Sequence, residues 1–239
     1  MKRKKIIISI ISLLILLFAL GYLFRPPSDF PSEKELLNQI PEAKTIQDIL
    51  FLDDKHVYVP FIMNDNSYGM SMWVWKNGWR LVADGDIGAP YIWQIYPDNP
   101  DSYRLLYNIH PEDQVSSINF YLLRRRYYSV SFNDVHTYTP GIQKHFTMEL
   151  SKKSYGMIKI PTDWKEMIID YMKVSKEDEQ PILPSLGGPY IEFAWNTTNQ
   201  HGEEIQPHKT YVGGFSITGS YIINSLRYMN QEEINLYNE

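Results

Sequence analysis

The chain has 239 residues and no cysteine; 44% are hydrophobic, 14% aromatic and 21% charged, with a formal net charge of −5. That composition belongs to a folded domain, and the missing cysteines exclude disulfides, thiol catalysis and thiolate metal sites. Four positive charges sit at Lys2, Arg3, Lys4 and Lys5; −5 less those four is −9 for the remainder, a sign unsuited to nucleic acid, whose phosphates need Lys and Arg.

Ile6 to Phe24 follows the basic cluster and carries no charged residue over nineteen positions. At about 1.5 Å per residue, a helix of that length spans roughly the 30 Å hydrocarbon core. With the basic residues in front, the positive-inside rule keeps the N-terminus cytoplasmic and exports the rest. A cleaved signal peptide has the same basic start and a shorter apolar run. Ala19-Leu20-Gly21 offers a cleavage site near Gly21, after which the domain is secreted, but the run continues through Tyr22, Leu23 and Phe24 and favours a retained anchor. The expected division is 1–24 as cytoplasmic tip and transmembrane anchor, 25–48 as linker with a short helix, and 49–239 as an extracytoplasmic β-rich domain. A domain of this size buries enough core to dispense with disulfides.

Arg25, Pro26 and Pro27 stop the anchor helix. Ser32 to Ile40 then reads as a short helix, capped by Ser32 with Glu35 in capping-box position and ended by Pro41, a spacer between membrane and domain. From Ile49 to Leu150 the signal is β, with short Val-, Ile-, Tyr- and Trp-rich runs between Asn, Asp, Gly and Pro clusters. Expected strands are His56–Met63, Met70–Lys76, Trp79–Ala83, Tyr91–Tyr96, Tyr103–Ile109, Val115–Leu123, Tyr127–Asn133 and His145–Leu150. Asn77-Gly78 predicts a two-residue type I′ hairpin turn. In that register Trp75 opposes Arg80 in cation–π geometry and Trp73 opposes Val82; both faces are largely apolar, which places the hairpin centrally, covered on two sides. Strict alternation of Tyr128, Val130 and Phe132 with Ser129 and Ser131 describes a half-buried strand.

Asp163, with Glu166 as reciprocal partner, caps one amphipathic helix whose stripe of Trp164, Met167, Ile168, Tyr171 and Met172 faces a core. Gly187-Gly188-Pro189 introduces a β pair, Tyr190–Thr197 and Lys209–Phe215. Tyr221 to Met229 reads as a last strand, and Asn230 with Glu233 caps a short final helix.

Candidate chemistry is sparse. His201, Glu203 and His208 form the one local histidine–carboxylate cluster, able in principle to hold a divalent metal but matching no helix-based zinc spacing; a solvated loop is the favoured reading and no metal or other cofactor is expected. Asp84-Gly85-Asp86 resembles a fragment of a calcium loop, lacks its remaining oxygen ligands, and reads as a turn. No nucleophile elbow, phosphate loop or dinucleotide fingerprint is present. Trp73 and Trp75, in the aromatic-rich stretch, and Arg124-Arg125-Arg126 with Tyr127 are the candidate binding residues, since exposed aromatics anchor partners and Arg meets anionic groups.

The expected fold is mainly β, an antiparallel sandwich or twisted meander with one packed amphipathic helix behind a single transmembrane helix; a small β-propeller is the alternative. The expected function is a membrane-anchored extracytoplasmic interaction protein of the cell envelope, held by Ile6–Phe24 and binding a protein or wall polymer. Two alternatives stand beside it. One is a peptide or glycan hydrolase with a site assembled from distant loops, including one of His110, His136, His201 or His208. The other is a sensor or assembly subunit acting through its anchor helix.

Overall fold

Among the described residues three mainly antiparallel sheets, each built from the short aromatic-rich runs, stack face to face, and a fourth, two-stranded sheet stands apart from them. The computed structural model describes residues 29–130, 134–150, 153–177 and 190–237, with Ile11 and Leu14. The rest of the expected anchor, the Gly21 cleavage site and the Gly187-Gly188-Pro189 turn lie outside these residues. Among the described residues no helix is long and apolar enough to cross a membrane.

The first sheet contains β1 (Ala43–Ile46), β2 (Leu50–Phe51), β3 (His56–Met63), β4 (Tyr68–Trp75), β5 (Trp79–Gly85) and β14 (Phe215–Ile217), in the order β1-β3-β4-β5-β14 with β2 also on β3. The second, ordered β12-β7-β6-β15, contains β6 (Tyr91–Gln94), β7 (Tyr103–Asn108), β12 (Tyr155–Lys159) and β15 (Ile223–Ser225). The third, ordered β11-β8-β13-β16, contains β8 (Ser117–Arg124), β11 (Ile142–Glu149), β13 (Glu192–Thr198) and β16 (Arg227–Tyr228). Within it, β13 and β16 run parallel. The fourth is the hairpin of β9 (Tyr127–Val130) and β10 (His136–Thr139). The helices are α1 (Glu33–Gln39), α2 (Thr162–Glu177), α3 (His208–Tyr211) and α4 (Gln231–Asn235).

Side-chain alternation explains the stacking. In β7, Leu106 points at the first sheet, meeting Tyr58, Met70 and Met72, while Leu105 and Tyr107 point at the third, meeting Ile118, Phe120 and Leu122. Trp164 and Ile168 of α2 close this second layer, as their helical stripe predicts. The outer face of the first sheet, Val57, Val59, Phe61 and Trp73, is covered by Leu36 and Ile40 of α1, and the outer face of the third by Ile234 and Tyr237 of the α4 segment.

The short N-terminal helix is therefore no free spacer. Leu36 and Ile40 are 0% and 1% exposed, and burial of such side chains contributes about 2 kcal/mol each. Its predicted cap forms: the backbone N–H and hydroxyl of Ser32 both donate to the Glu35 carboxylate, at 2.8 and 2.7 Å. The Asn230–Glu233 capping box of α4 forms as well.

Other expectations are corrected. The β4–β5 connection uses three residues, Lys76–Gly78, so Trp75 opposes Trp79 and Trp73 opposes Leu81. A bulge between Met72 and Trp73 then restores the expected Met72–Ala83 pair. Trp75 stacks edge-on with Trp79 at 5.6 Å in place of the expected Arg80 contact. Asp84 and Gly85 continue β5 and are not a turn. Lys209–Phe215 is not one strand: its first residues belong to α3. Tyr221–Met229 divides into β15 and β16, on different sheets, around the buried Leu226. Finally, α2 begins at Thr162, with Lys165 N–H bonded to the Pro161 carbonyl (3.1 Å), so Asp163 lies inside the first turn and pairs with Lys144 (3.3 Å).

The two ends of the stack are distinguished by their contacts. At one, Phe30 meets Phe51 (5.8 Å) and Trp79 (4.9 Å), and His56 meets Trp93 (5.3 Å) and Tyr96 (5.6 Å). Lys165 Nζ reaches Asp101 (2.5 Å) there, and Lys144, the partner of Asp163, pairs with Leu122 on the strand leading to Arg124. At the other end, Asn108 Nδ2 donates to the carbonyls of Phe61 (3.2 Å) and Gly69 (2.7 Å), and Ser116 N–H to that of Thr198 (2.8 Å). Asp29 and Arg124 thus lie towards the same end.

Candidate functional site

Beyond the Arg124–Ile142 pair that ends the β8–β11 ladder, the chain continues as the separate hairpin of β9 and β10. Tyr127 opposes Thr139, Tyr128 opposes Tyr138, and Val130 opposes His136. No third strand joins this sheet among the described residues. A lone two-stranded hairpin is marginal in water.

The face expected to be inward points outward. On it Tyr128 is 59% exposed, Val130 49% and the cross-strand Tyr138 66%; Val135, just before β10, is 56% exposed. The alternation was read correctly as one apolar face; the layer that would cover that face is not supplied by the described chain. Local polar contacts hold the rings in place: Tyr128 Oη and His136 Nδ1 are 2.5 Å apart, and Asp134 lies 3.4 Å from His136 Nε2.

Three guanidinium groups form a collar at the base. Arg124 Nε donates to the Pro140 carbonyl (3.2 Å), and its partial burial lowers the guanidinium pKa. Arg125 lies over the Tyr237 ring at 5.2 Å, and Arg126 is exposed. None of the three forms an ion pair with a carboxylate among the described residues. Arg124, Arg125, Arg126 and Tyr127 are thus brought together with Tyr128, which sequence reasoning placed on the covered side of a half-buried strand, and with Tyr138, which it did not single out.

Trp73 and Trp75 are elsewhere and buried, 0% and 8% exposed, with Trp73 Nε1 donating to Ser71 Oγ (3.0 Å). Neither ring is available to a partner, because α1 and the Phe30 segment cover that face. His201 and Glu203 occupy a turn organised by Asn199, whose Oδ1 accepts from the backbone N–H of both (2.8 and 3.1 Å) and whose Nδ2 donates to Glu203 (2.9 Å). His208 begins α3, and the three make no metal-binding group among the described residues.

Two polar clusters escaped the sequence reading. Asp53 accepts from Nδ1 of the buried His56 through both oxygens (2.8 and 2.9 Å). Burial works to raise the Asp53 carboxyl, yet the bonds from His56 and Lys55 outweigh it and hold the group below its usual range. The buried Arg104 donates through Nη1 to the carbonyls of Asp101 (2.7 Å) and Tyr103 (2.9 Å), while its Nε has no partner. The Asp53–His56 pair fixes an imidazole tautomer, and its ring neighbours are the aromatics Trp93 and Tyr96. An Asp three residues before a His was the available signal.

At the other end Asp113 takes the N–H and hydroxyl of Thr210 (2.7 and 2.6 Å), and Thr210 Oγ1 accepts from His110 N–H (2.8 Å). This network pins α3 to the loop after β7 and uses His110 structurally. A shallow cleft of about 450 Å³ is lined by Glu204, Gln206, Tyr211, Tyr228, Asn230 and Glu233. The Tyr228 hydroxyl there is pushed up to about 12, chiefly by burial, and donates to the Ile205 carbonyl (3.0 Å). A second cleft, of about 340 Å³, lies between Lys44, Tyr68 and His110. The residues lining these clefts include no nucleophile–base pair.

No family model, curated protein or solved structure matches this chain.

Proposed function

We propose that the protein is a membrane-anchored, extracytoplasmic interaction protein of the cell envelope, in which a sandwich-like stack of sheets presents the β9–β10 hairpin to an anionic component. The observation carrying this reading is the exposed face of Tyr128, Val130 and Tyr138, with Val135 exposed beside the turn, next to three arginines that form no ion pair with a carboxylate among the described residues. Aromatic and aliphatic side chains supply contact area, and Arg supplies recognition of anionic groups. The anchor is Ile6–Phe24, with Lys2–Lys5 on the cytoplasmic side.

The cysteine-free sequence makes the test direct. In intact cells a membrane-impermeant thiol reagent labels a Val212→Cys variant, and a crosslinker on Val135→Cys yields adducts with envelope components that Val212→Cys does not. Labelling only after lysis, or no adduct from Val135→Cys, overturns the reading. A hydrolytic role is second, favoured by the oriented Asp53–His56 pair. It predicts that His56→Gln removes an activity on envelope peptide or glycan which Tyr138→Ser leaves intact.

A further inference from the structure

The anionic component that meets the hairpin is identified by where the chain enters the domain. Phe30 packs against Phe51, Trp73 and Trp79 at one end of the first sheet. From there a continuous set of contacts crosses the stack at that same end: His56 to Trp93, Lys165 to Asp101, Asp163 to Lys144. Lys144 pairs with Leu122, two residues before Arg124, where the hairpin departs. Chain entry and hairpin therefore share one end of the molecule.

Tether length makes this decisive. Only Arg25 to Ser28 separate Phe24 from Asp29, and five residue steps reach at most ~18 Å even fully extended. Because α1 is docked on the first sheet, the linker cannot lengthen by unwinding into a spacer without losing the burial of Leu36 and Ile40. The end bearing Phe30 is held against the bilayer whenever Ile6–Phe24 spans it. Sheets pack roughly 10 Å apart, so the third sheet, two layers away, lies within reach of the same surface.

We infer that the β9–β10 hairpin is a second membrane contact, seating Tyr128, Val130, Val135 and Tyr138 at the boundary of headgroups and acyl chains while Arg124, Arg125 and Arg126 meet anionic lipid headgroups. This rests on the anchored reading above and names its partner. The chemistry matches at each depth. Tyrosine favours the interface, where its ring is apolar and its hydroxyl wet, and valine suits the acyl side. Cationic side chains near an anionic surface contribute about 1 kcal/mol each. The domain as a whole is acidic, so attraction is confined to this collar and orients the molecule.

The test uses the full chain in vesicles of neutral phosphatidylcholine or of phosphatidylcholine with phosphatidylglycerol, with an environment-sensitive probe on Val135→Cys or on Val212→Cys. Val212 follows α3, which Asp113 pins at the far end. Flotation with vesicles reads the anchor; quenching by acyl-chain quenchers reads the hairpin. Expected are flotation of both variants and quenching several-fold stronger at position 135 than at 212. Replacing Arg124, Arg125 and Arg126 by Ala is expected to reduce it in the anionic vesicles and leave flotation intact. Flotation with equal, water-like quenching at both positions overturns the hairpin contact and leaves the anchor standing, pointing to a protein or wall-polymer partner. Failure to float overturns the anchor and this inference with it.

Discussion

Two hairpins in this molecule carry the same kind of sequence and meet opposite fates. The β4–β5 hairpin alternates Trp, Val and Met and lies buried between the second sheet and α1. The β9–β10 hairpin alternates Tyr and Val with Ser and Thr and stands in solvent with its apolar face open. Alternation reports that a strand has a face needing cover. Whether the same chain supplies the cover depends on segments outside the hairpin, here Leu36 and Ile40 on one side of β4–β5 and Tyr91, Trp93 and Leu106 on the other.

The comparison is tested first where burial is greatest. Trp73→Ala removes a fully buried indole and its bond to Ser71, and is expected to cost about 3–5 kcal/mol in a denaturant melt; a loss under ~1 kcal/mol would mean that the first layer is not closed. Next comes the join between sheets. Asn108→Ala removes the donor that reaches the half-buried Gln47 Oε1 (2.7 Å) and the buried carbonyls of Phe61 and Gly69. The expected loss is about 2–3 kcal/mol, again read by denaturant.

Asp53→Asn is smaller and depends on pH. The folded carboxyl titrates below its unfolded value, so its contribution is present above the unfolded pKa near ~3.9 and is lost as pH falls through the lower folded value. The variant is expected to lose about 1 kcal/mol at neutral pH. Below roughly pH 4 the melting curves of the two proteins should converge; curves that stay parallel to acid would assign the loss to packing. Smallest is Tyr138→Ser on the open hairpin. Its effect on the melting free energy is expected within ~0.5 kcal/mol, and a loss approaching that of Trp73→Ala would show the hairpin face to be covered by this chain after all.

These contrasts mark what the sequence could carry. Alternation located β3 to the residue and most other strands closely, and the stripe of α2 told correctly that Trp164 and Ile168 face a core. Asn77-Gly78 announced a turn but not its length: the three-residue connection and the compensating bulge at Val82 depend on how β4 packs between two layers. Short β1 and β2 were invisible because two to four residues carry no period, and their pairing comes entirely from β3. Tyr155–Lys159 was missed because its partner β7 lies about fifty residues earlier. Of the site, the arginine collar was legible as a basic, aromatic spot on an acidic domain, whereas the outward face of Tyr128 was legible only as a face.

One last feature bears on how the molecule comes to exist. Phe215 pairs with Gly85, Ile223 with Trp93 and Arg227 with Ala194, so the stretch 215–228 crosses all three sheets and adds one edge strand to each. The first two pairings close loops of 130 residues, and such distant partners are slow to find. A chain made from its N-terminus onward holds three unfinished sheets until this stretch appears, each offering a free edge to any neighbouring strand. The closing strands then bring the three sheets to completion nearly together. Nascent chains released short of residue 215 are expected to aggregate, and the full chain to fold in one cooperative step.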